Sequence, residues 1–269
     1  MQYDPIKKSL GNVFNKTPFL RKLFYRLLDL LLLRSWHVHK ELRKWASGNP
    51  SQTMILDAGA GYGQYSFWLS SKNKEWSITA VDVKEEQVAD CTNFFKSIGR
   101  DSQVKFSIED LTVYKSSDKY DLILSVDVME HILEDVMVFK NFYASLKTGG
   151  MLLISTPSDQ GGSDVHDNAE TSFIEEHVRD GYNILEMENK LKEAGFTKMS
   201  IRYQYGTPGK ISWRLSMKYP IQMLGVSKLF FIILPFYYVV TYPFAYLLNW
   251  LDTSMEHKTG TGLIVKAWK

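Results

Sequence analysis

Between residues 53 and 155, five short apolar runs alternate with helix-like stretches, and this alternation leaves the chain few folds to adopt. The runs are TMILDA (53–58), WSITAVDV (76–83), QVKFSI (103–108), YDLILSV (120–126) and GMLLIS (150–155). Helical patterns lie near 63–72, 85–98 and 134–146. Strands that alternate with helices build a parallel sheet with crossover helices. Thr156 and Pro157 close the fifth run, and a polar stretch follows to about 180. A helical pattern at 183–194 stops at Gly195, and strand-like runs recur at 197–205 and 262–268. The segment between these last two runs is far longer than an ordinary connection.

The first run leads into LDAGAGYG, with glycines at 59, 61 and 63. Such a turn lets the backbone approach a ligand closely and aims the first amides of the next helix at it. The spacing is Gly-x-Gly-x-Gly, not the Gly-x-Gly-x-x-Gly of a dinucleotide fingerprint. Asp57, just ahead, suits a ligand with an ammonium group better than a pyrophosphate. Asp82 ends the second run, where a carboxylate accepts hydrogen bonds from ribose hydroxyls. Asp110 follows the third run beside Leu111, in place to receive an adenine amino group.

LDAGAGYG, VDV, IEDL, DLILSVDVMEHI and LKTGGMLLISTP, taken in order, resemble the motifs of class I S-adenosylmethionine-dependent methyltransferases. The resemblance covers roughly 50–205 and the final run. It implies a Rossmann-like α/β fold with seven strands in the order 3-2-1-4-5-7-6, the last antiparallel, and S-adenosylmethionine as cofactor. It implies that Asp57, Gly59 and Gly61 line the methionine part. Asp82 would hold the ribose, Asp110 and Leu111 the adenine, and Ser125 the far wall. Ala60, Gly63, Tyr65 and Val83 complete the implied set.

The acceptor is less constrained. A hydroxyl acceptor needs a group to take its proton, and His131 in VMEHI is a candidate base; the alternative is that Glu130 and His131 simply fold the turn. Asp127, Glu130 and His131 also resemble the acidic-x-x-Glu-His pattern of quinone-biosynthesis O-methyltransferases, where the matching residues can bind a divalent metal. Here the first is Asp where those have Glu, and no metal is assigned. The polar segment GGSDVHDNAETSFIEEHVRDGY (161–182) adds His166 and His177 as catalytic candidates, with Asp167 and Arg179. Its alternative is a solvated loop.

Two appendages stand out. Residues 229–251, LFFIILPFYYVVTYPFAYLLNWL, carry no formal charge and suffice by length to cross a bilayer. Pro235 and Pro243 interrupt them, and Tyr and Trp favour the membrane interface. The strands on either side belong to one sheet, so the chain must return on the side it left. A helical hairpin, or helices lying in the interface, meets that condition. Near the N-terminus, a helix over 19–31 would place Phe19, Leu20, Leu23, Phe24, Leu27, Leu28, Leu30 and Leu31 on one half. Arg21, Lys22, Tyr25, Arg26 and Asp29 would fall on the other. A basic amphipathic helix suits an anionic membrane surface; the alternatives are a lid over the acceptor or a homodimer interface.

These features divide the 269 residues into an N-terminal helical cap (1–48), a core (49–205 plus 260–269) and an apolar helical insertion (206–259). The leading expectation is methyl transfer to a hydrophobic acceptor, such as a lipid, an isoprenoid phenol or a polyene-like molecule, at or near a membrane. A soluble small-molecule methyltransferase and a non-catalytic cofactor-binding scaffold are the competing readings. A net charge of +2 gives no basic groove, and the Asn/Asp-Pro-Pro-Tyr/Phe signature is lacking, so nucleic acid is not an expected partner. One cysteine, Cys91, and an N-terminus without a secretory pattern point to the cytoplasm, with peripheral attachment to the inner face of the membrane as the variant.

Overall fold

The computed structural model describes residues 17–48, 52–161, 178–227 and 229–269. His166, Asp167 and His177 lie outside the described residues. Seven strands form one sheet: β1 (Met54–Ala58), β2 (Ser77–Asp82), β3 (Val104–Ile108), β4 (Tyr120–Val126), β5 (Leu146–Pro157), β6 (Lys198–Gln204) and β7 (Gly262–Trp268). Their order is 3-2-1-4-5-7-6. The first five pair in parallel, and β7 runs antiparallel between β5 and β6. The fifth strand starts earlier than its apolar run, because Leu146 pairs with Tyr120 ahead of the Gly149–Gly150 irregularity.

The central strands are buried on both faces, which explains their near-continuous apolar runs. Leu56, Ala58 and Ile123 point to one face, covered by α5 (Asp135–Ser145) and α6 (Ile184–Glu193) through Phe139, Phe142, Met187 and Leu191. Ile55, Leu122 and Leu124 point to the other. There α3 (Gln64–Lys72) and α4 (Glu85–Ser97) contribute Leu69 and Phe95. Two N-terminal helices, α1 (Pro18–Leu31) and α2 (Leu33–Ala46), join that second face through Tyr25, Val38 and Leu42. Thr17 caps α1, its hydroxyl accepting from the Leu20 amide.

α1 meets the protein with its polar half. Arg21 and Tyr25 are buried, while Phe19, Leu23 and Leu30 are exposed. Of the polar half, Lys22 and Arg26 stay exposed, and the alternative in which the apolar half packs on the protein is not what the helix does at Phe19, Leu23 and Leu30. The cause is local: Arg21 finds main-chain carbonyls and an aromatic face to bond, as described below.

The insertion is a helical hairpin. One arm is α7 (Thr207–Trp213), a π-helical turn (Arg214–Lys218) and α8 (Tyr219–Val226); the other is α9 (Phe230–Ser254). α9 has 25 residues and is the one helix, among the described residues, long and apolar enough to cross a membrane. Pro235 and Pro243 do not end it. Each removes a single backbone hydrogen bond, and tyrosines hold the helix in place instead. Tyr237 donates to the Leu215 carbonyl at 2.7 Å and Tyr238 to the Ser216 carbonyl at 2.8 Å, both within the π turn. Tyr242 donates to the Leu30 carbonyl at 3.0 Å, which ties α9 to α1.

Candidate cofactor and acceptor site

After β1 the chain turns through Gly59, Gly61 and Gly63, with φ of 81°, 52° and 74°, a region that favours glycine. The amides of Gly59 and Ala60 both donate to the Val81 carbonyl at 2.9 Å, which pins the turn against β2. A Cβ on Gly59 would stand 2.3 Å from Val128 Cγ2, whereas one on Gly61 would meet only Gln87 Oε1 at 4.0 Å. The loop is therefore packed at 59 and open at 61.

Asp82, at the tip of β2, accepts from the Gly61 amide through Oδ2 and from the Lys84 amide through Oδ1, each at 2.9 Å. This fixes the carboxylate and leaves lone pairs on both oxygens. Asp57 is buried and accepts from the Ser66 hydroxyl at 2.6 Å; burial pushes its carboxyl up to about 6. Asp110 Oδ1 is turned into its own loop, accepting from the Thr112 amide and hydroxyl at 2.8 and 2.7 Å. Leu111 is buried and Val83 is exposed. Ser125, near the end of β4, is fully buried and its hydroxyl has no hydrogen-bond partner among the described residues.

A second group of side chains gathers beside these, at the ends of β4, β5 and β6. Arg34 of α2 pairs with Asp127, which sits at φ 50° just past β4. Tyr65 of α3 is buried beside Arg34, and its hydroxyl makes no hydrogen bond of good geometry. Glu130 is buried and accepts from the Thr156 hydroxyl at 3.0 Å. Burial pushes the Glu130 carboxyl up to about 7, against the pull of Thr156, Arg34 and Arg179. Tyr205, at φ 59°, lies among Arg34, Tyr65 and Glu130, and burial raises its phenol. Gln204 donates to Ser155 Oγ at 2.9 Å while its carbonyl oxygen is buried without a donor. Buried polar groups ordinarily find partners, so Ser125, Tyr65 and Gln204 together mark a place where a ligand or water bonds.

Comparison with known proteins bears on the first group. Residues 56–152 match a family described as "Methyltransferase domain". This chain carries a class I methyltransferase domain. Phosphoethanolamine N-methyltransferase 1 of Arabidopsis thaliana is 30% identical over 145 residues, which cover 53% of this chain and 28% of that protein. Malonyl-[acyl-carrier protein] O-methyltransferase 1 of Ilyobacter polytropus is 27% identical over 120 residues, 45% of this chain and 44% of that one. The match thus spans between about a quarter and a half of the length of these curated relatives. Among solved structures, Haemonchus contortus phosphoethanolamine N-methyltransferase 2 in complex with S-adenosyl-L-methionine superposes with a TM-score of 0.59 at 18% identity. That superposition covers 91% of this chain and 60% of the other. The [4+2]-cyclase SpnF gives 0.56 at 15% identity, covering 81% and 76%. These likenesses show the fold.

S-adenosylmethionine is the cofactor that goes with this methyltransferase domain. The residues fit it. The open glycine turn admits a ligand, Asp82 presents a fixed carboxylate beside it, and Ser125 offers an unpaired hydroxyl. Asp57, Gly59, Ala60, Gly61, Gly63 and Asp82 meet at one edge of the sheet, at the carboxyl ends of β1 and β2, where ligands of such sheets bind.

The three acidic-x-x-Glu-His residues do not converge. Asp127 is turned to Arg34, Glu130 is buried on Thr156, and His131 is exposed. Among the described residues no group of three metal-ligating side chains occurs. The sequence offered no sign of Arg34, Tyr205 or Thr156, which come together only through the fold. Arg21 and Tyr25 did leave a sign, four residues apart on the polar half of α1.

Proposed function

We propose that this protein is an S-adenosylmethionine-dependent methyltransferase whose acceptor is a hydrophobic molecule taken up at or near a membrane. The cofactor supplies an electrophilic methyl group; the chain has to bind, align the acceptor and exclude water. Asp82 and the glycine turn bind the cofactor, and Asp57, Tyr65 and Ser125 line its methionine end. Glu130, Arg34 and Tyr205 are the polar groups an acceptor would meet next.

One observation carries the hydrophobic reading: the apolar hairpin is rooted at the acceptor end of the sheet. Asp252, near the end of α9, accepts from the amide of Tyr205 at 3.2 Å and from His37 Nε2 at 2.8 Å. His37 stands one turn beyond Arg34 on α2. Helices with exposed Leu, Phe and Trp side chains therefore border the acceptor groups directly. A polar acceptor gains nothing from such a border, whereas an apolar one is partly desolvated on arrival. The curated relatives named for phosphoethanolamine point to a polar acceptor for themselves, and the apolar border is what sets this chain apart in the proposal.

The test uses purified full-length protein, S-adenosylmethionine with a labelled methyl group, and either a total lipid extract or phosphoethanolamine. Label in the organic phase supports the reading. Label in phosphoethanolamine alone overturns its acceptor half, and no transfer to any acceptor, with no heat on titration of S-adenosylhomocysteine, overturns it entirely.

A further inference from the structure

α1 and α9 share an unusual feature: both turn polar or small groups inward and apolar groups outward. On α1, Arg21 is 3% exposed while Phe19 is 73% exposed. On α9, Leu234, Ala245, Asn249 and Asp252 face the protein at spacings of eleven, four and three, all of which keep to one helix face. Ile232, Phe236, Val239, Phe244, Leu247 and Trp250 are exposed on the opposite side. The two helices meet where Tyr242 bonds the Leu30 carbonyl, and beside that contact Trp36 of α2 packs edge-on against Tyr246 at 4.8 Å. Their outward faces form an apolar surface far larger than a soluble monomer ordinarily shows water.

Charge says what covers it. No Asp or Glu occurs between residues 205 and 251, where Lys210, Arg214 and Lys218 do. On α1, Lys22 and Arg26 are exposed between the apolar residues. The only acidic residue of α1, Asp29, is held inward by Gln64 at 2.6 Å. A surface of exposed apolar groups fringed by cations alone complements an anionic lipid leaflet. It does not complement a second copy of itself, which would bring cation against cation.

We propose that this surface docks the protein on an anionic bilayer, with α9 lying in the plane of a single leaflet rather than crossing it. The docking rests on the reading above that the acceptor comes from a membrane, and it names the lipid partner and the pose. Three observations fix the pose. The exposed apolar residues of α9, from Ile232 to Trp250, lie on one side of the helix only, as in a helix that lies flat in an interface. The opposite face of α9 is packed on the α7–α8 arm, where a crossing helix would meet lipid. That arm carries Lys210, Arg214 and Lys218 at intervals of four residues, and upright insertion would pull these charges into hydrocarbon. Lying flat, α9 sinks to the depth of an interfacial helix and the cations stay at headgroup level. Apolar acceptors dissolved in that leaflet then reach the Arg34–Tyr205 side without crossing water.

The experiment is flotation of the full-length protein with vesicles of phosphatidylcholine alone or mixed equally with phosphatidylglycerol, run beside calorimetry with S-adenosylhomocysteine. Binding to the mixed vesicles should exceed binding to neutral ones by roughly tenfold, since each basic residue near the surface adds to it. Leu23→Asp combined with Phe236→Asp should lower flotation at least tenfold and leave the S-adenosylhomocysteine heat unchanged. Leu185→Asp, an equally exposed change on α6, should alter neither. Equal flotation of wild type and the double variant overturns the docking surface, as does a stable dimer that buries it in solution. Cleavage on one flank of α9 by external protease, with the other flank protected until the vesicles are opened, would overturn the flat pose. Loss of docking with a normal S-adenosylhomocysteine heat leaves the methyltransferase reading standing, so the two failures are distinct.

Discussion

Nη2 of Arg21 donates to the main-chain carbonyl of Tyr62 at 3.1 Å, within the glycine turn that faces the cofactor. The Tyr25 hydroxyl donates to the same oxygen, and Arg21 Nε donates to that hydroxyl at 2.8 Å. Arg21 also lies over the ring of Phe94 at 4.8 Å. A helix far from the turn in sequence thus holds its outer side. Arg21→Ala would leave the Tyr62 carbonyl and the Tyr25 hydroxyl short of a donor in a buried place. The expected loss is about 2–3 kcal/mol of stability. S-adenosylhomocysteine should bind more weakly as well, because Gly61 and Asp82 depend on the turn. Urea denaturation and calorimetry check both.

Gly59 is held to glycine twice over. Its φ of 81° strains any side chain, and a Cβ there would sit 2.3 Å from Val128 Cγ2. Gly59→Ala should lower stability by about 2 kcal/mol or more and abolish cofactor binding. Adding Val128→Ala removes the clash but not the strained backbone. The double variant should therefore recover part of the melting temperature and little of the binding.

Glu130 sets a pH dependence of stability. Burial raises its carboxyl to about 7 in the folded protein, from an ordinary value near 4.5. Between these values the folded protein holds more protons than the unfolded chain. Stability from this group therefore falls as pH rises through that window, by up to about 1.4 kcal/mol per pH unit. Of the groups around it, Tyr182 and Tyr205 have phenols raised by burial, so both stay neutral over this range. Glu130→Gln should gain on wild type by about 2–3 kcal/mol between pH 5 and pH 8, read from urea midpoints at the two values. Parallel curves for the two proteins would count against a proton held there.

The sheet was legible because its strands are buried on both faces. Their runs are apolar throughout, and glycine or proline marks the strand ends at Gly59 and Pro157, whereas Gly149 falls inside β5, which starts earlier than its apolar run. The positions of the candidate cofactor residues were legible for a related reason: Asp57, Gly59 and Asp82 sit at fixed distances from strand ends, so sequence spacing translates directly into position. The acceptor side was not. Arg34, Tyr65, Glu130 and Tyr205 come from four elements, and no spacing in the sequence relates them. For α1, periodicity shows that a helix has two faces but not which one turns inward; Arg21 bonds the Tyr62 and Asp90 carbonyls, and the polar face is the inner one.

The hairpin hangs from one carboxylate. Both oxygens of Asp252 are used: Oδ1 by His37 at 2.8 Å and the Tyr205 amide at 3.2 Å, Oδ2 by the Gly209 amide at 2.8 Å. His257 Nε2 adds a contact at 3.3 Å to Oδ2. Asp252 and His37 are both fully buried, and the hydrogen bond from His37 holds the carboxyl below the usual carboxylate range against the opposing effect of burial. Through this carboxylate α9 is joined to α2, to the start of α7 and to the residue that follows β6. Burial lowers the His37 imidazole below its ordinary value, so losing the carboxylate strands a ring N–H and the Tyr205 and Gly209 amides rather than a charge, each unpaired donor costing about 1–3 kcal/mol. Asp252→Ala should therefore release the hairpin from the core before the sheet melts. The sheet keeps its own packing through Leu263 and Val265 of β7. Limited proteolysis should then cut within 207–254 far faster than in wild type, while circular dichroism retains the β signal. Asp252→Asn keeps one acceptor oxygen, enough for either the Tyr205 or the Gly209 amide but not both, and should show an intermediate rate. Equal cleavage of all three proteins would mean that the tyrosine bonds to Leu215, Ser216 and Leu30 suffice to hold the hairpin without it.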